Sequence, residues 1–220
     1  MAESWRMMNR KRMMIGITGL ILVIGLGGLL YWSQSQPELS QLSGDDLVKE
    51  VSQRSSVTEE ELTDLQAREE WEAVRVVLED KKVVPTAEQF ATAVTLAPLD
   101  VIEAYFEQGL DPFEEVEGMP VITPLFSANG SPDQWKLAMR YVEDERLLGI
   151  AVDSLNLDAV KELLGQGYMI RDTESVLLQP VRHNQVELTQ LLLDNGAQWT
   201  KEMEQTAKDY NSDLILKMRN

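Results

Sequence analysis

The stretch that decides the fold is Val186-Glu187-Leu188-Thr189-Gln190-Leu191-Leu192-Leu193-Asp194-Asn195-Gly196. It opens on an apolar–acidic pair, carries apolar residues at helical spacing and stops at glycine. Two earlier stretches share this layout. One is Leu99-Asp100-Val101-Ile102-Glu103-Ala104-Tyr105-Phe106-Glu107-Gln108-Gly109, the other Leu157-Asp158-Ala159-Val160-Lys161-Glu162-Leu163-Leu164-Gly165-Gln166-Gly167. Apolar residues recurring at such spacing mark one buried helix face. The closing glycine adopts the left-handed conformation in which helices commonly end. Gly167 and Gly196 are 29 residues apart; Gly109 and Gly167 are 58 apart, twice that interval. A recurrence of this length signals a repeated helical unit.

These stretches resemble the outer helices of ankyrin repeats, whose pattern includes a Leu-Leu run ending in Gly-Ala. Leu191 to Ala197 is the nearest match. The family's inner helix opens with Thr-Pro-Leu-His, and Thr123-Pro124-Leu125-Phe126 matches three of those four. Thr123 would then be the N-cap and Pro124 the first helical residue, where a missing N–H costs nothing. Phe126 replaces the family histidine, so that hydrogen bond of the motif is expected to be absent. The other inner helices are degenerate, at Phe90 to Ala97, Leu147 to Leu155 and Ser175 to His183.

Weaker units flank these. Glu70 to Asp80 reads as an outer helix without its glycine, and Pro132 to Asp144 must supply the outer helix of the Thr123 unit. Thr206 to Tyr210 followed by Asp213 to Leu216 resembles a truncated last repeat. The resemblance covers about 58–218 and implies five helix pairs plus a cap, with 44–56 as a leading helix. The expected fold class is all-α: an ankyrin-like helical repeat solenoid plus one N-terminal transmembrane helix. An irregular helical bundle is the competing architecture. A single pair cannot bury its own apolar stripe, so neighbouring pairs must complete it. The predicted core comprises Val74, Leu78, Val101, Ile102, Phe106, Leu125, Leu148, Val160, Leu163, Leu164, Leu188, Leu191 and Leu192, with Trp135 beside them.

The chain begins differently. Residues 1–12 hold Arg6, Arg10, Lys11 and Arg12 against Glu3, and residues 13–37 carry no charge. Residues 13–32 read MMIGITGLILVIGLGGLLYW. Twenty residues at about 1.5 Å each span about 30 Å, the depth of a bilayer's hydrocarbon core. Tyr31 and Trp32 close the run, where amphipathic rings favour the headgroup region. A cleaved signal peptide is the rival reading, but the apolar run exceeds 7–15 residues and no small-x-small site follows it. Basic residues abutting a span stay cytoplasmic. The expected organisation is a cytoplasmic basic head (1–12), a transmembrane helix (13–32), a linker (33–44) and a repeat domain with a C-terminal cap (45–220). In a bacterium this makes a single-pass inner-membrane protein whose C-terminal domain faces the periplasm.

Composition excludes much chemistry. The 220 residues include no cysteine and one histidine, and the net charge is -17. Disulfides, thiolate zinc sites and cysteine nucleophiles are therefore ruled out. A nucleic-acid reader must neutralise phosphates with Lys and Arg, and this chain is acidic. From Glu38 onward, 36 acidic residues oppose 16 basic ones. No Gly-x-Ser-x-Gly elbow, phosphate-cradling glycine loop, His-Glu-x-x-His or calcium loop is present. The runs Glu59-Glu60-Glu61, Glu69-Glu70 and Glu114-Glu115 read as solvated faces, because a catalytic acid–base pair needs one buried member. His183 reads as a turn residue; a lone histidine makes a poor metal site. No enzyme and no cofactor is expected.

One loop stands out. Residues 110–122, LDPFEEVEGMPVI, fall where the ankyrin family projects a hairpin finger. Asp111, Glu114, Glu115 and Glu117 surround Phe113 and Met119. Apolar anchors amid charges suit a binding tip. The alternative is a solvated loop with Phe113 folded back on the stack. Tyr168 and Trp199, also just past helix ends, complete the candidate partner-binding residues.

Ankyrin-like stacks bind proteins, so the resemblance implies a protein partner, here one with a basic patch. Two roles fit a periplasm-facing module. Extracytoplasmic ankyrin-like proteins resemble the immunity partners of antibacterial phospholipase effectors, which points to an inhibitor. The alternative is a scaffold or assembly factor for a cell-envelope complex.

Overall fold

A computed structural model describes residues 38–80 and 83–219. The proposed basic head, the span at 13–32 and residues 33–37 of the linker lie outside the described residues. Among the described residues, no helix is long and apolar enough to cross a membrane. The chain divides between Ser43 and Gly44 into two units. The first contributes a 3-10 turn at Leu39–Gln41. The second is all-α apart from one small hairpin.

Its α-helices are α1 (Gly44–Gln53), α2 (Glu59–Ala67), α3 (Trp71–Asp80), α4 (Ala87–Leu96), α5 (Leu99–Glu107), α6 (Pro132–Tyr141), α7 (Arg146–Asp153), α8 (Leu157–Gly165), α9 (Leu178–Arg182), α10 (Val186–Asp194), α11 (Lys201–Asp209) and α12 (Asp213–Arg219). Strands β1 (Glu115–Val116) and β2 (Met119–Pro120) precede a 3-10 turn at Thr123–Phe126.

Contacts between these elements follow chain order in two rows. In one row α2, α4, the Thr123 turn, α7, α9 and α11 each touch the next. In the other, α1, α3, α5, α6, α8, α10 and α12 do the same. Consecutive members of the two rows also pack as pairs, beginning with α2–α3 and ending with α11–α12. The apolar core lies between the rows, with Phe90, Ile102, Tyr105, Leu125, Phe126, Leu147 and Leu163 fully buried.

The turns repeat too. Four first-row helices end on a residue with positive φ: Glu69 (57°), Leu155 (56°), Asn184 (52°) and Asn211 (55°). After each, the next N–H bonds a carbonyl five residues back: Glu70 to Leu65, Asn156 to Ala151, Gln185 to Pro180 and Ser212 to Ala207. That is the Schellman closure, which satisfies carbonyls a helix end would otherwise leave open. Second-row helices end alike at Gly167 and Gly196, where φ is 94° and 103°.

Buried amides and one hydroxyl join each pair to another. Gln66 Nε2 donates to the Gln89 carbonyl (2.8 Å), and Gln89 Nε2 donates to Thr63 Oγ1 (2.8 Å). Asn156 Nδ2 donates to the Phe126 carbonyl (3.2 Å), and Ser212 Oγ to that of Val181 (2.5 Å). A buried carbonyl without a partner is costly, so these side chains complete the backbone between pairs.

Some sequence expectations change. Thr123 does not cap a helix: it sits inside a four-residue 3-10 turn whose N-cap position is Ile122, and its buried Oγ1 lacks a hydrogen-bond partner. The preceding hairpin dictates this, because Ile122 N–H is already bonded to the Pro112 carbonyl. Leu164 and Leu191 are half-buried instead of core. Leu163 and Leu192 hold the buried stripe, and a helix turns about 100° per residue, which leaves their neighbours at its edge. The remaining predicted core residues and Trp135 are buried. The outer helix opening at Pro132 stops at Tyr141, short of Asp144.

Candidate functional site

The 110–122 segment folds into a hairpin. Asp111 starts it: its carboxylate accepts the Phe113 N–H at 2.9 Å, and its carbonyl accepts that of Glu114. Glu115 then faces Pro120, and Val116 faces Met119, in antiparallel register. The two-residue tip is Glu117-Gly118, with φ of 54° and 79°. Two positive φ values make a type I′ turn, whose twist matches paired strands. Glycine takes that conformation freely, whereas glutamate holds it at some strain. Buried Val121 and Ile122 anchor the hairpin's return.

Exposure separates the candidate residues. Asp111, Glu114, Glu115, Glu117 and Met119 are exposed. Phe113 is half-buried, and the Arg146 guanidinium covers its ring. Val116 and Met119, directly opposite each other, line a groove of about 420 Å³ against Ala91, Thr95 and Leu96 of α4.

A second depression lies between α7 and the segment 169–176, bordered by Arg146, Gly149, Met169 and Arg171. Its cations already have partners. Arg146 bonds the Asp144 carboxylate twice (2.9 and 2.8 Å), and Arg171 pairs with Glu145. The Arg146 side chain, with help from its own backbone N–H, holds Asp144 down at about 2. Tyr168 borders a third, shallower hollow with Met139, Glu143 and Asp144. Burial raises its phenol, and the Glu143 and Asp144 carboxylates add to this.

The structure therefore links Phe113 to Tyr168 through Arg146 and Asp144. Trp199 stands apart, beside Gln190, Leu193 and Met218. Sequence reading missed Leu96, Arg146 and Met169. Leu96 looks like one more apolar helix position, and only packing reveals that it faces solvent. Met169 lies two residues past Gly167, the same kind of place that drew notice to Tyr168 and Trp199.

His183 is an exposed C-cap of α9. Among the described residues, no group of three His, Cys, Asp or Glu side chains is placed to hold a metal. What the surface can do is present fixed carboxylates and apolar side chains to another molecule. Comparison with protein-family models, curated proteins and solved structures finds no match.

Proposed function

We propose that the chain is a membrane-anchored, ankyrin-like repeat module facing the periplasm, and that it binds and inhibits a basic partner protein. Pairs that pack chiefly on their chain neighbours, closed by recurring turns, support the repeat reading. The apolar run at 13–32 behind a basic head supports the anchor.

The observation that carries the binding role is the hairpin itself. It holds Glu114, Glu115 and Glu117 around an exposed Met119 on a two-residue turn anchored by buried Val121 and Ile122. A preorganised tip loses little entropy on docking. Its charge favours fast, salt-sensitive association with a cationic surface. The inhibitor role, against an antibacterial effector of phospholipase type, is supported by analogy alone: extracytoplasmic ankyrin-like proteins resemble the immunity partners of such effectors. An inhibitor tethered at the bilayer is held at high effective concentration where such a toxin acts.

The test is affinity capture from envelope extract by the full chain in lipid nanodiscs. The expected result is one dominant basic hydrolase, bound at low salt, released at high salt and inactive while bound. A captured partner whose own activity is untouched would favour the scaffold role. Capture that ignores salt would sink the electrostatic part.

A further inference from the structure

On the reading that the chain docks a protein through its hairpin, we infer that the groove between α4 and the hairpin receives one apolar side chain of that partner, from a segment where lysine or arginine flanks it. The groove exposes apolar surface from both walls: Leu96 of α4 is 57% exposed and Met119 of the hairpin 53%. Ala91, Val116 and Pro120 line the space between them. Its volume of about 420 Å³ lies in the range of pockets that enclose small ligand groups.

The sign of the rim selects the occupant. Glu88 and Glu117 border the groove, and Glu114 and Glu115 stand on the same hairpin. Among the described residues, none of these four carboxylates has a cation within ion-pair distance. The stretch from Val83 to Trp135 carries nine carboxylates and no lysine, arginine or histidine. The depression beside α7 differs, since Arg146 and Arg171 are paired with Asp144 and Glu145 there. The acidic groove therefore keeps its field for an incoming cation, while the apolar floor rewards a leucine- or methionine-sized anchor.

The full chain in nanodiscs, with isotope-labelled methionine methyls, is titrated with a synthetic peptide holding a central leucine between pairs of lysines. The expected result is a saturable shift of the Met119 methyl. Binding should weaken roughly tenfold between about 50 mM and about 300 mM salt. It should weaken roughly tenfold when serine replaces the leucine, and vanish when glutamates replace the lysines. Leu96→Asp, at an exposed position, should abolish the shift while the circular dichroism stays unchanged. Three peptides acting alike, a shift at Met169 instead of Met119, or an unchanged titration with Leu96→Asp would each overturn the inference. If Leu96→Asp captures the envelope partner as well as the native chain does, the groove assignment falls and the protein-binding reading stands. If neither form captures anything, both fall.

Discussion

The Arg146 guanidinium lies 3.6 Å from the centre of the Phe113 ring, so the first turn of α7 closes over the start of the hairpin. A cation stacked on an aromatic face is attracted by the ring's quadrupole. Arg146→Gln should leave the helices intact and loosen the hairpin. Amide exchange at Val121 and Ile122, whose N–H groups bond Glu114 and Pro112, should quicken roughly tenfold, the signature of a local opening. Unchanged exchange would show that the contact holds nothing.

The same arginine should make the hairpin acid-sensitive. Its side chain, and then its backbone N–H, hold the Asp144 carboxyl at about 2, below the ordinary range. A carboxylate with a lowered folded pKa stabilises the fold above its unfolded pKa and loses that contribution as pH falls through the folded value. Hairpin exchange should therefore rise as pH drops from about 4 to about 2. In Arg146→Gln, Asp144 should titrate higher than in the native chain, though still held down in part by the backbone N–H of residue 146, as its carbon chemical shift would report.

Asn156 does two jobs at one joint. Its Oδ1 caps α8 by accepting the Ala159 N–H at 3.0 Å, and its Nδ2 reaches the Phe126 carbonyl at 3.2 Å. Asn156→Ala removes a cap and leaves a buried carbonyl short of a donor, at a cost of about 2–3 kcal/mol. Asn156→Ser keeps a capping oxygen and should lose about half of that. Urea unfolding midpoints would rank the three chains.

Among the described residues, three buried hydroxyls have no hydrogen-bond partner: those of Tyr105, Thr123 and Thr189. Removing a buried polar atom that bonds nothing relieves a desolvation cost. Tyr105→Phe and Thr189→Val should each hold or raise stability, by up to about 1 kcal/mol. Burial also pushes the Tyr105 phenol well above its usual range. Above a pH of about 10 the unfolded tyrosine loses its proton and the folded one keeps it, so stability falls as pH rises. Tyr105→Phe should flatten the decline in melting temperature between about pH 9 and 11. An equal decline in both chains would refute this.

Glu69 and Glu117 are exposed and hold φ of 57° and 54°. A side chain in that region costs about 1–2 kcal/mol, partly offset by glycine's freedom in the unfolded chain. Glu69→Gly and Glu117→Gly should each stabilise by about 0.5–1 kcal/mol. Glu69→Gly should leave partner capture unchanged, whereas Glu117→Gly also takes one charge from the groove's rim. Thermal melts and capture measured together would separate the effects.

Much of the helical layout was legible, for definite reasons. Helices α5, α8 and α10 begin at Leu99, Leu157 and Val186, the residues that open the recurring pattern. Apolar spacing and a terminal glycine each have one physical meaning, so the pattern maps directly onto structure. The starts of α2, α4 and α6 were also written in the chain, as Thr58 with Glu61, Thr86 with Gln89, and Ser131 with Gln134, all reciprocal capping boxes. Two of these boxes close with glutamine, a less conspicuous signal than a carboxylate. The site was less legible. The charged character of 110–122 was plain, but its second wall, Leu96, comes from a helix whose exposed face depends on what packs beside it. Arg146 is adjacent to Phe113 only through folding, since 32 residues separate them in sequence.

The order of the contacts has a mechanical consequence. Among the described residues, the pair α11–α12 packs chiefly on α9 and α10. Because each pair packs chiefly on its chain neighbours, opening of α11–α12 should pass to α9–α10 before it reaches α4. Three intervening pairs separate α11–α12 from α4, the helical wall of the acidic groove, so local opening there should leave the proposed docking surface folded.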